Sequence, residues 1–338
     1  METINKVAVV ILNWNGVALL RRYMPSVVAN TNSEVADVIV ADNGSTDQSL
    51  TFLAVQYPQV KVIHLAENYG FAEGYNRAIA QLNYKYTLLL NSDVRVPQGW
   101  IEPLYEYMEQ HPEVGACQPK LLKEYDGDQP LFEYAGAAGG FLDCHGYPYC
   151  RGRLFSNVEA DHGQYDGGEP IEVFWATGAA LMTRTDVYLK AGGLDKHFFA
   201  HMEEIDLCWR IHLLGYSIKC VTASKAYHLG GASLPASNPR KTYLNFRNNL
   251  FLLYKNLPQK EGKRLLIVRR LYDTLSWLMF VATFQWGNAR AVLRAHRDYR
   301  RFHHRYDGIQ PEQNLLKTMP GARRNIVLEY YLLGRRKF

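Results

Sequence analysis

Two groups of oxygen-bearing side chains in this sequence have the types and spacing that metal binding and proton transfer require. The run LLLNSDVRVP is a hydrophobic strand that breaks off into Asn91, Ser92 and Asp93. A carboxylate there could hold a cation, although these three residue types also favour ordinary turns. The second group is Glu203 and Glu204, at the predicted start of a helix. The helix dipole keeps a carboxylate ionised there, so it could take a proton from a hydroxyl or simply stabilise the first turn.

The elements that must position these side chains are short strands separated by helical patterns. The capping-box pair Ser45 and Gln48 indicates a helix that continues to Tyr57, and a second periodic segment contains Pro25. The apolar runs, each bounded by turn residues, are 7–12, 38–41, 60–65 and 87–90. This alternation predicts an α/β fold with a mostly parallel, Rossmann-like sheet flanked by helices.

The carboxyl ends of the predicted strands are polar, which matters because open parallel sheets bind ligands there. These ends read NWNG, DNGSTD, AENYG and NSD. Their oxygen side chains and glycines suit a nucleotide site. The sequence has neither a GxGxxG fingerprint after the first strand nor a Walker A motif, which argues against dinucleotide-dependent redox enzymes and P-loop NTPases.

Seven fragments of the chain, in order, resemble the family 2 glycosyltransferases of the GT-A fold, especially the bacterial branch with rhamnosyl- and galactofuranosyltransferases. They span about residues 7–233 and read VVILNWNG, ADNGSTDQS, ENYGFAEGYNRAI, LLLNSDVRVP, ATGAALMTR, GGLDKHFFAHMEEIDLCWRIHLLGY and AYHLGGAS. The resemblance implies transfer of a sugar from a nucleoside-diphosphate donor to a hydroxyl, with inversion at the anomeric carbon. Such a displacement needs a divalent cation to neutralise the departing diphosphate and a base to accept the proton.

The resemblance implies a metal site around the NSD turn. Asp93 matches the last acid of the family's DxD-type motif, and Asn91 stands where the acidic version has its first carboxylate. Hard oxygen ligands suit Mg²⁺ or Mn²⁺. His228 matches a histidine that also reaches the metal in some relatives, which would favour Mn²⁺. The alternative for His228 is a hydrogen-bonded histidine at a strand end.

The resemblance also implies a donor site. Asp42 matches the position that reads the nucleobase, and a carboxylate accepts a hydrogen bond from N3–H of uracil or thymine, so we expect a UDP- or dTDP-sugar, with a rhamnose-like sugar favoured. The alternative for Asp42 is a turn without a ligand. Trp175 could stack on the sugar, although a buried aromatic is the commoner case. The predicted nucleotide-sugar-binding residues are Asn13, Asp42, Asn68, Asn76, Asn91, Ser92, Asp93 and Trp175.

The catalytic base maps onto the two adjacent glutamates, where the family usually has Glu-Asp. The family's aspartate falls on Glu204, and Glu203 is the second candidate. The extra methylene of Glu204 shifts the carboxylate by roughly an ångström, a displacement to which catalysis is sensitive. Asp206 stands four residues before Arg210 and is expected to form a salt bridge with it. Asp195 is assigned only to the surroundings of the site.

Charge is distributed unevenly along the chain. Residues 1–240 carry 18 Lys/Arg against 27 Asp/Glu, whereas residues 241–338 carry 20 against 6. We therefore predict a GT-A catalytic domain over 1–240, with a nucleotide-sugar half (1–116) and an acceptor half (117–240), followed by a basic helical region over 241–338.

The basic region contains a stretch without charges, 274–289, that is too short and too polar to span a bilayer. Arginines at helical spacing follow it, at Arg290, Arg294, Arg297 and Arg301. This pattern favours contact of residues 262–305 with an anionic membrane surface. The alternatives are packing on the catalytic domain, a solvated face and a dimer contact. Nucleic acid is a poorer partner, because no groove-reading module accompanies the charge.

The expected setting is a reducing cytosol, at the inner face of the plasma membrane if the basic region binds lipid. The five cysteines show no CxxC spacing and give neither a disulfide framework nor a zinc site. By resemblance, the acceptor is a cell-envelope or lipid-linked glycan. One alternative is a sugar-nucleotidyltransferase, but the run ILNWNGVALLRRYM lacks its Gly- and Arg-rich signature. Another is a noncatalytic relative that binds nucleotide or glycan, which the departures at Asn91 and Glu204 keep open.

Overall fold

A computed structural model describes residues 6–124, 129–230 and 238–338 of the chain. Within these residues, nine strands form one mixed sheet in the order β11-β13-β6-β12-β4-β1-β2-β3, with β5 paired to β13, and the other four form a small antiparallel sheet. In chain order the strands are β1 Val7–Asn13, β2 Ala36–Asn43, β3 Lys61–Leu65, β4 Tyr86–Leu90, β5 Val94–Arg95, β6 Val114–Lys123, β7 Gly140–Leu142, β8 Pro148–Cys150, β9 Arg153–Leu154, β10 Asn157–Val158, β11 Ile171–Glu172, β12 Ala180–Arg184 and β13 Ser217–His228.

Helices cover both faces of the large sheet and make up most of the C-terminal region. They are α1 Val17–Asn30, α2 Ser49–Gln56, α3 Gly70–Ile79, α4 Glu102–Gln110, α5 Thr185–Lys190, α6 Glu203–Leu213, α7 Pro239–Asn256, α8 Gln259–Ala282, α9 Trp286–Phe302 and α10 Ile326–Tyr331. Alternate residues of β1 point to opposite sides: Val10 packs in a core with α3 and α6, and Val9 in a core with α1, α2 and α4. Both faces of β1 are therefore buried, as its uninterrupted apolar run predicts.

The predicted mostly parallel α/β sheet is confirmed. Strands β4, β1, β2 and β3 pair in parallel, and β13 pairs in parallel with β6. Strand β12 runs antiparallel between β4 and β6 and so joins the two parallel parts. The turn after β4 thereby comes to lie beside elements from the second half of the chain.

The capping-box prediction at Ser45 is wrong. Helix α2 begins only at Ser49. The Ser45 hydroxyl instead accepts a hydrogen bond from the backbone N–H of Asn15, at 2.9 Å, and Asp47 accepts from the N–H of Ser49 at 2.9 Å. The polar residues before the helix are used to hold the ends of β1 and β2 together.

Pro25 lies inside α1 without ending it. A proline within a helix costs about 3 kcal/mol, because it removes a hydrogen bond and crowds the preceding turn. Helix α1 buries Leu20, Met24 and Val27 to 1% exposure each. Burial of each such side chain is worth about 1.5–3 kcal/mol, which together outweighs the proline.

The C-terminal helices share a core with the rest of the molecule. Leu250, Phe251 and Leu253 of α7 are 0–2% exposed and belong to the same hydrophobic cluster as Phe198 and Leu142. The predicted boundary at residue 240 therefore marks a change in charge and secondary structure within a continuous core.

Candidate active site

The turn after β4 is held against the end of β13. Strand β5 pairs with β13 so that Val94 lies opposite His228. This register brings the side chain of Asp93 to His228, with 3.1 Å between the carboxylate Oδ1 and the imidazole Nε2. Both residues are buried, at 8% exposure each. The structure thus brings the two predicted metal ligands together.

A second carboxylate lies on the other side of the same imidazole. Oε1 of Glu133 is 3.4 Å from Nδ1 of His228, and its other oxygen accepts a hydrogen bond from the backbone N–H of Ala135. Burial alone would lower the pKa of His228, but the hydrogen bond with Asp93 and the nearby negative charges of Asp93 and Glu133 raise it to about 10. Two buried carboxylates therefore make this a place where positive charge is stabilised.

The donor atoms at this place fit a single divalent ion. Ligand atoms on neighbouring vertices of an octahedral ion, each about 2.1 Å from it, lie about 3 Å apart. The Asp93–His228 separation of 3.1 Å matches that distance. A metal-binding imidazole commonly donates its other N–H to a carboxylate, which is the place that Glu133 takes. The same contacts also fit the alternative of a hydrogen-bonded histidine at a strand end.

The two adjacent glutamates open α6, as predicted. Burial raises the pKa of Glu204 to about 7, against the lowering effect of nearby backbone N–H groups. Burial, followed by the charge of Glu204, raises the pKa of Glu203 well above its usual range. Among the described residues, Oε2 of neither glutamate has a hydrogen-bond partner. Burial here outweighs the helix dipole, which the sequence led us to expect would keep these groups ionised. A carboxylate with a pKa near 7 suits a general base.

The turn 177–179 connects the two parts of the site. The backbone N–H of Asn91 donates to the carbonyl of Ala179 at 3.0 Å. On the other side, a Cβ added to Gly178 would lie 3.5 Å from Cβ of Glu204. Asn91 and Glu204 therefore flank one short turn, and a methyl group at position 178 would be in ordinary van der Waals contact with the glutamate.

The loop before α6 has a strained backbone. Phe199, His201 and Met202 have φ values of 68°, 68° and 74°, in the left-handed region that non-glycine residues rarely adopt. The buried amide of Asn248 in α7 donates to three carbonyls of this loop, those of Phe198, Ala200 and His201, at 2.7–2.9 Å. Asn248 thus holds the loop that presents the two glutamates.

Asn248 and Glu133 were both missed from the sequence. The one signal for Asn248 was the pair of adjacent amides, Asn248 and Asn249, that leads directly into the apolar run LFLLY. Glu133 lies in the segment from Val114 to about Glu172, where the sequence pattern is irregular and gave no signal.

Several predicted donor residues line the ends of β1 and β2. Asp42 is 2% exposed, and its carboxylate accepts hydrogen bonds from the Asn13 amide at 3.1 Å and the Ser45 N–H at 3.0 Å. Oδ1 of Asn13 is buried without a partner among the described residues. Asn68 accepts from the N–H of Gly70 at 2.9 Å. These contacts agree with the alternative in which Asp42 stabilises a turn. The carboxylate of Asp42 still has lone pairs that could accept a hydrogen bond from a ligand.

Two predicted donor residues make hydrogen bonds within the protein, and Trp175 requires correction. The amide of Asn76 donates to the carbonyl of Leu194 at 2.7 Å and accepts from the hydroxyl of Tyr188 at 2.6 Å and from the N–H of Leu194 at 2.9 Å. Trp175 is 2% exposed, covers Gly140, and donates from Nε1 to the carbonyl of Phe141 at 2.9 Å. Asn76 therefore anchors the loop at Leu194, but it is half-buried and lines a cavity, so its role in donor binding stays a prediction. Trp175 is a core residue and is not available to stack on a sugar.

The predicted structural role of Asp206 is confirmed. It is fully buried, and its carboxylate lies 2.6 Å from the guanidinium of Arg210 and 2.9 Å from the ammonium of Lys255. Lys255 also pairs with Asp195 at 2.8 Å. This network joins α6 to α7 and fixes the helix that carries the two glutamates.

The sheet order, the polar strand ends and the Asp93–His228 contact define the class as a GT-A-type glycosyltransferase fold. Solved structures agree on the fold. GalNAc-T7 with UDP, GalNAc and Mn²⁺ matches with a TM-score of 0.59 at 16% identity, over 77% of this chain and 50% of that one. The first 349 residues of S. aureus TarS with UDP-GlcNAc match with a TM-score of 0.51 at 15% identity, over 77% of this chain and 70% of that one. This chain thus spans half the length of the GalNAc-T7 chain.

Sequence comparison gives the family. The family model "Glycosyl transferase family 2" matches residues 8–133. Rhamnosyltransferase WbbL of Escherichia coli K12 is 34% identical over 217 residues, which cover 62% of this chain and 76% of WbbL. The N-acetylglucosaminyl-diphospho-decaprenol L-rhamnosyltransferase of Mycobacterium tuberculosis is 28% identical over 222 residues, 62% of this chain and 71% of that protein. The chain belongs to glycosyltransferase family 2, among its bacterial rhamnosyltransferase-like members, which sets aside the nucleotidyltransferase and noncatalytic alternatives.

Proposed function

We propose that this glycosyltransferase moves a rhamnose-like sugar from a UDP- or dTDP-sugar to a hydroxyl of a cell-envelope or lipid-linked glycan, with inversion and with one Mg²⁺ or Mn²⁺. The observation that carries the proposal is the contact of Asp93 with His228, at 3.1 Å, beside the same turn that Glu204 flanks. The names of the relatives support a rhamnosyl donor and a lipid-diphosphate acceptor. The ligands of the two solved structures support a nucleoside-diphosphate donor and a divalent metal.

In this proposal each residue has a separate task. Asp93 and His228 hold the cation, which when bound neutralises charge on the departing diphosphate. Glu133 orients the imidazole of His228. Glu204 accepts the proton of the attacking hydroxyl, and a base with a pKa of about 7 is available in its ionised form near neutral pH. A single displacement from the face opposite the diphosphate inverts the anomeric carbon.

Donor selection is assigned to the ends of β1 and β2. The buried carboxylate of Asp42 retains lone pairs that could accept the N3–H of uracil or thymine, and Asn13 has an unpartnered Oδ1 beside it. We keep Asn68, Asn91 and Ser92 as the surrounding polar groups. The irregular acceptor half would then bind the lipid-linked acceptor, and the basic region 262–305 would contact the anionic membrane surface without touching the reacting groups.

The test is a panel of UDP-, dTDP- and GDP-linked sugars with Mg²⁺ or Mn²⁺ and a lipid-linked acceptor. We expect release of nucleoside diphosphate from a UDP- or dTDP-sugar only when a divalent cation is present, and a product of inverted anomeric configuration by NMR. Turnover that persists in EDTA would refute the metal requirement. Preference for a GDP-sugar would refute the assignment of Asp42.

A further inference from the structure

Helix α8 presents apolar side chains to the solvent. Ile267, Leu271, Leu275, Leu278 and Met279 are 46–66% exposed. At about 100° per residue, the first four lie within an arc of about 80° on the helix surface. The chain then turns through Phe284 and Trp286, which are 77% and 53% exposed. We call these seven residues the α8 ridge.

The opposite side of the helix is buried, and it holds a charged pair beside Gly262 and Leu266. Arg269 and Asp273 are 2% and 1% exposed and lie 3.3 Å apart. His296 of α9 contacts Asp273 at 2.9 Å, and the guanidinium of Arg269 lies over the ring of Tyr147 at 3.6 Å. A surface helix of a water-soluble protein normally shows the reverse arrangement, with charges outside and leucines inside. The orientation of α8 is fixed by this buried ion pair, so the exposed leucines are a feature of the fold and indicate an apolar partner.

Charge on the same face identifies the partner. Lys260, Lys263 and Arg264 are exposed in the first turns of α8, within about 60° of Ile267 around the helix axis. Of the two carboxylates on α8, Asp273 is buried and Glu261 is paired with Lys317 at 2.7 Å. The face is therefore cationic at one end and apolar along the rest. An aromatic pair at the far end, where the chain turns, is typical of side chains that sit at a bilayer interface.

The arginine stripe expected on α9 is weaker than predicted from the sequence. Asp298 lies 3.6 Å from Arg294 and 3.1 Å from Arg297, which offsets part of the positive charge. Among the described residues, no helix has the length and hydrophobicity needed to cross a bilayer. The α8 face, rather than the α9 stripe, thus combines unpaired apolar surface with positive charge.

We propose that the α8 ridge inserts into the interfacial layer of an anionic membrane, with Lys260, Lys263 and Arg264 against the lipid headgroups. The role of this contact rests on the proposed function, because membrane binding would bring the active site to a lipid-linked acceptor. A membrane satisfies both halves of the α8 face, because the acyl-chain boundary covers the exposed leucines and anionic headgroups pair with the two lysines and the arginine.

The experiment is co-sedimentation of the full chain with vesicles of phosphatidylcholine containing phosphatidylglycerol, and with vesicles of phosphatidylcholine alone. We expect binding to the anionic vesicles that falls with added salt, and at least about tenfold weaker binding to the neutral ones. Leu271→Glu/Leu275→Glu and Lys263→Glu/Arg264→Glu should each weaken binding to anionic vesicles about tenfold or more. Val55→Glu on α2, at a site that is 67% exposed, is the matched control and should bind as the unaltered chain does.

Two readouts keep this result separate from folding and from catalysis. Circular dichroism and thermal melting should be unchanged in all three variants, because every altered side chain is exposed. Nucleoside-diphosphate release with a detergent-solubilised acceptor should also be unchanged in the variants. If the unaltered chain binds vesicles but shows no turnover, only the proposed function is refuted. Equal binding by the unaltered chain and the Leu271→Glu/Leu275→Glu variant would overturn the inference. The inference would also be overturned if light scattering showed that the unaltered chain is a dimer and the Leu271→Glu/Leu275→Glu variant a monomer, and neither bound vesicles.

Discussion

His228 lies between two carboxylates, with Asp93 3.1 Å from its Nε2 and Glu133 3.4 Å from its Nδ1. The three residues come from the turn after β4, the irregular middle segment and the end of β13. The pairing of β5 with β13 brings Asp93 to the histidine, and the N–H of Leu229 adds a hydrogen bond to the Asp93 carbonyl at 3.1 Å. The site thus depends on a short two-residue strand, Val94–Arg95, as much as on the ligands themselves.

Asp93→Asn keeps the size of the side chain and removes its charge. We expect this variant to bind Mn²⁺ more than about 100-fold more weakly and to lose metal-dependent turnover, because a direct ligand is lost. Electron paramagnetic resonance of free Mn²⁺, titrated in the presence of UDP, measures the affinity independently of activity. Unchanged Mn²⁺ affinity would rule out Asp93 as a ligand.

Glu133→Gln tests the outer carboxylate. Because Glu133 orients the imidazole and raises its basicity without touching the ion in our proposal, we expect Mn²⁺ affinity to fall about 10–100-fold, less than in Asp93→Asn. Glu109→Gln is a control of equal charge change, since Glu109 pairs with Lys85 at the surface at 2.6 Å. If Glu133→Gln and Glu109→Gln bind Mn²⁺ alike, Glu133 does not support the site.

Glu204→Gln should lose turnover by a factor of about 10²–10⁴ while donor binding is retained. In the unaltered enzyme, kcat/KM should fall as the pH drops below about 7, because the base becomes protonated. Glu203→Gln is the matched comparison. An active Glu204→Gln beside an inactive Glu203→Gln would transfer the role of base to Glu203.

The same pKa predicts an effect on stability. A carboxyl whose pKa is raised in the folded protein binds its proton more tightly there than in the unfolded chain, so its contribution to stability falls as pH rises from about 4.5 to about 7. Glu204→Gln resembles the neutral form, and we expect it to raise the free energy of unfolding by about 3 kcal/mol at pH 8 and by much less at pH 4. Urea denaturation at the two pH values measures this difference. An equal effect at both would show that burial does not raise the pKa of Glu204.

Asn248→Asp keeps the shape of the side chain but removes the amide donor that holds the loop before α6. We expect kcat to fall at least about tenfold with little change in the donor KM, because the displaced group is the base rather than the donor site. Asn249→Asp is the matched control: it is the next residue of α7, is equally buried, and holds the carbonyl of Gly146 at 2.7 Å instead. Equal losses of kcat in the two variants would indicate a general loss of stability.

Much of the fold and part of the site could be predicted from the sequence. Strand positions follow from apolar runs, and the start of α6 at Glu203 and its end before Gly215 follow from local signals that act within a few residues. The NSD turn and the glutamate pair were identified for the same reason. Ser45 shows the limit of such signals, because its hydroxyl bonds to a residue 30 positions away instead of capping a helix.

The tertiary structure decided which distant residues meet and in which direction their side chains point. No local pattern indicates that Glu133 meets His228, or that Asn248 reaches the loop before α6, since those contacts are set by sheet register and helix packing. Whether Trp175 and Asn76 face a ligand or the core depends on what covers them. The uncharged stretch 274–289 was evident from the sequence, but the buried ion pair between Arg269 and Asp273 decided that the leucines of α8 face outward.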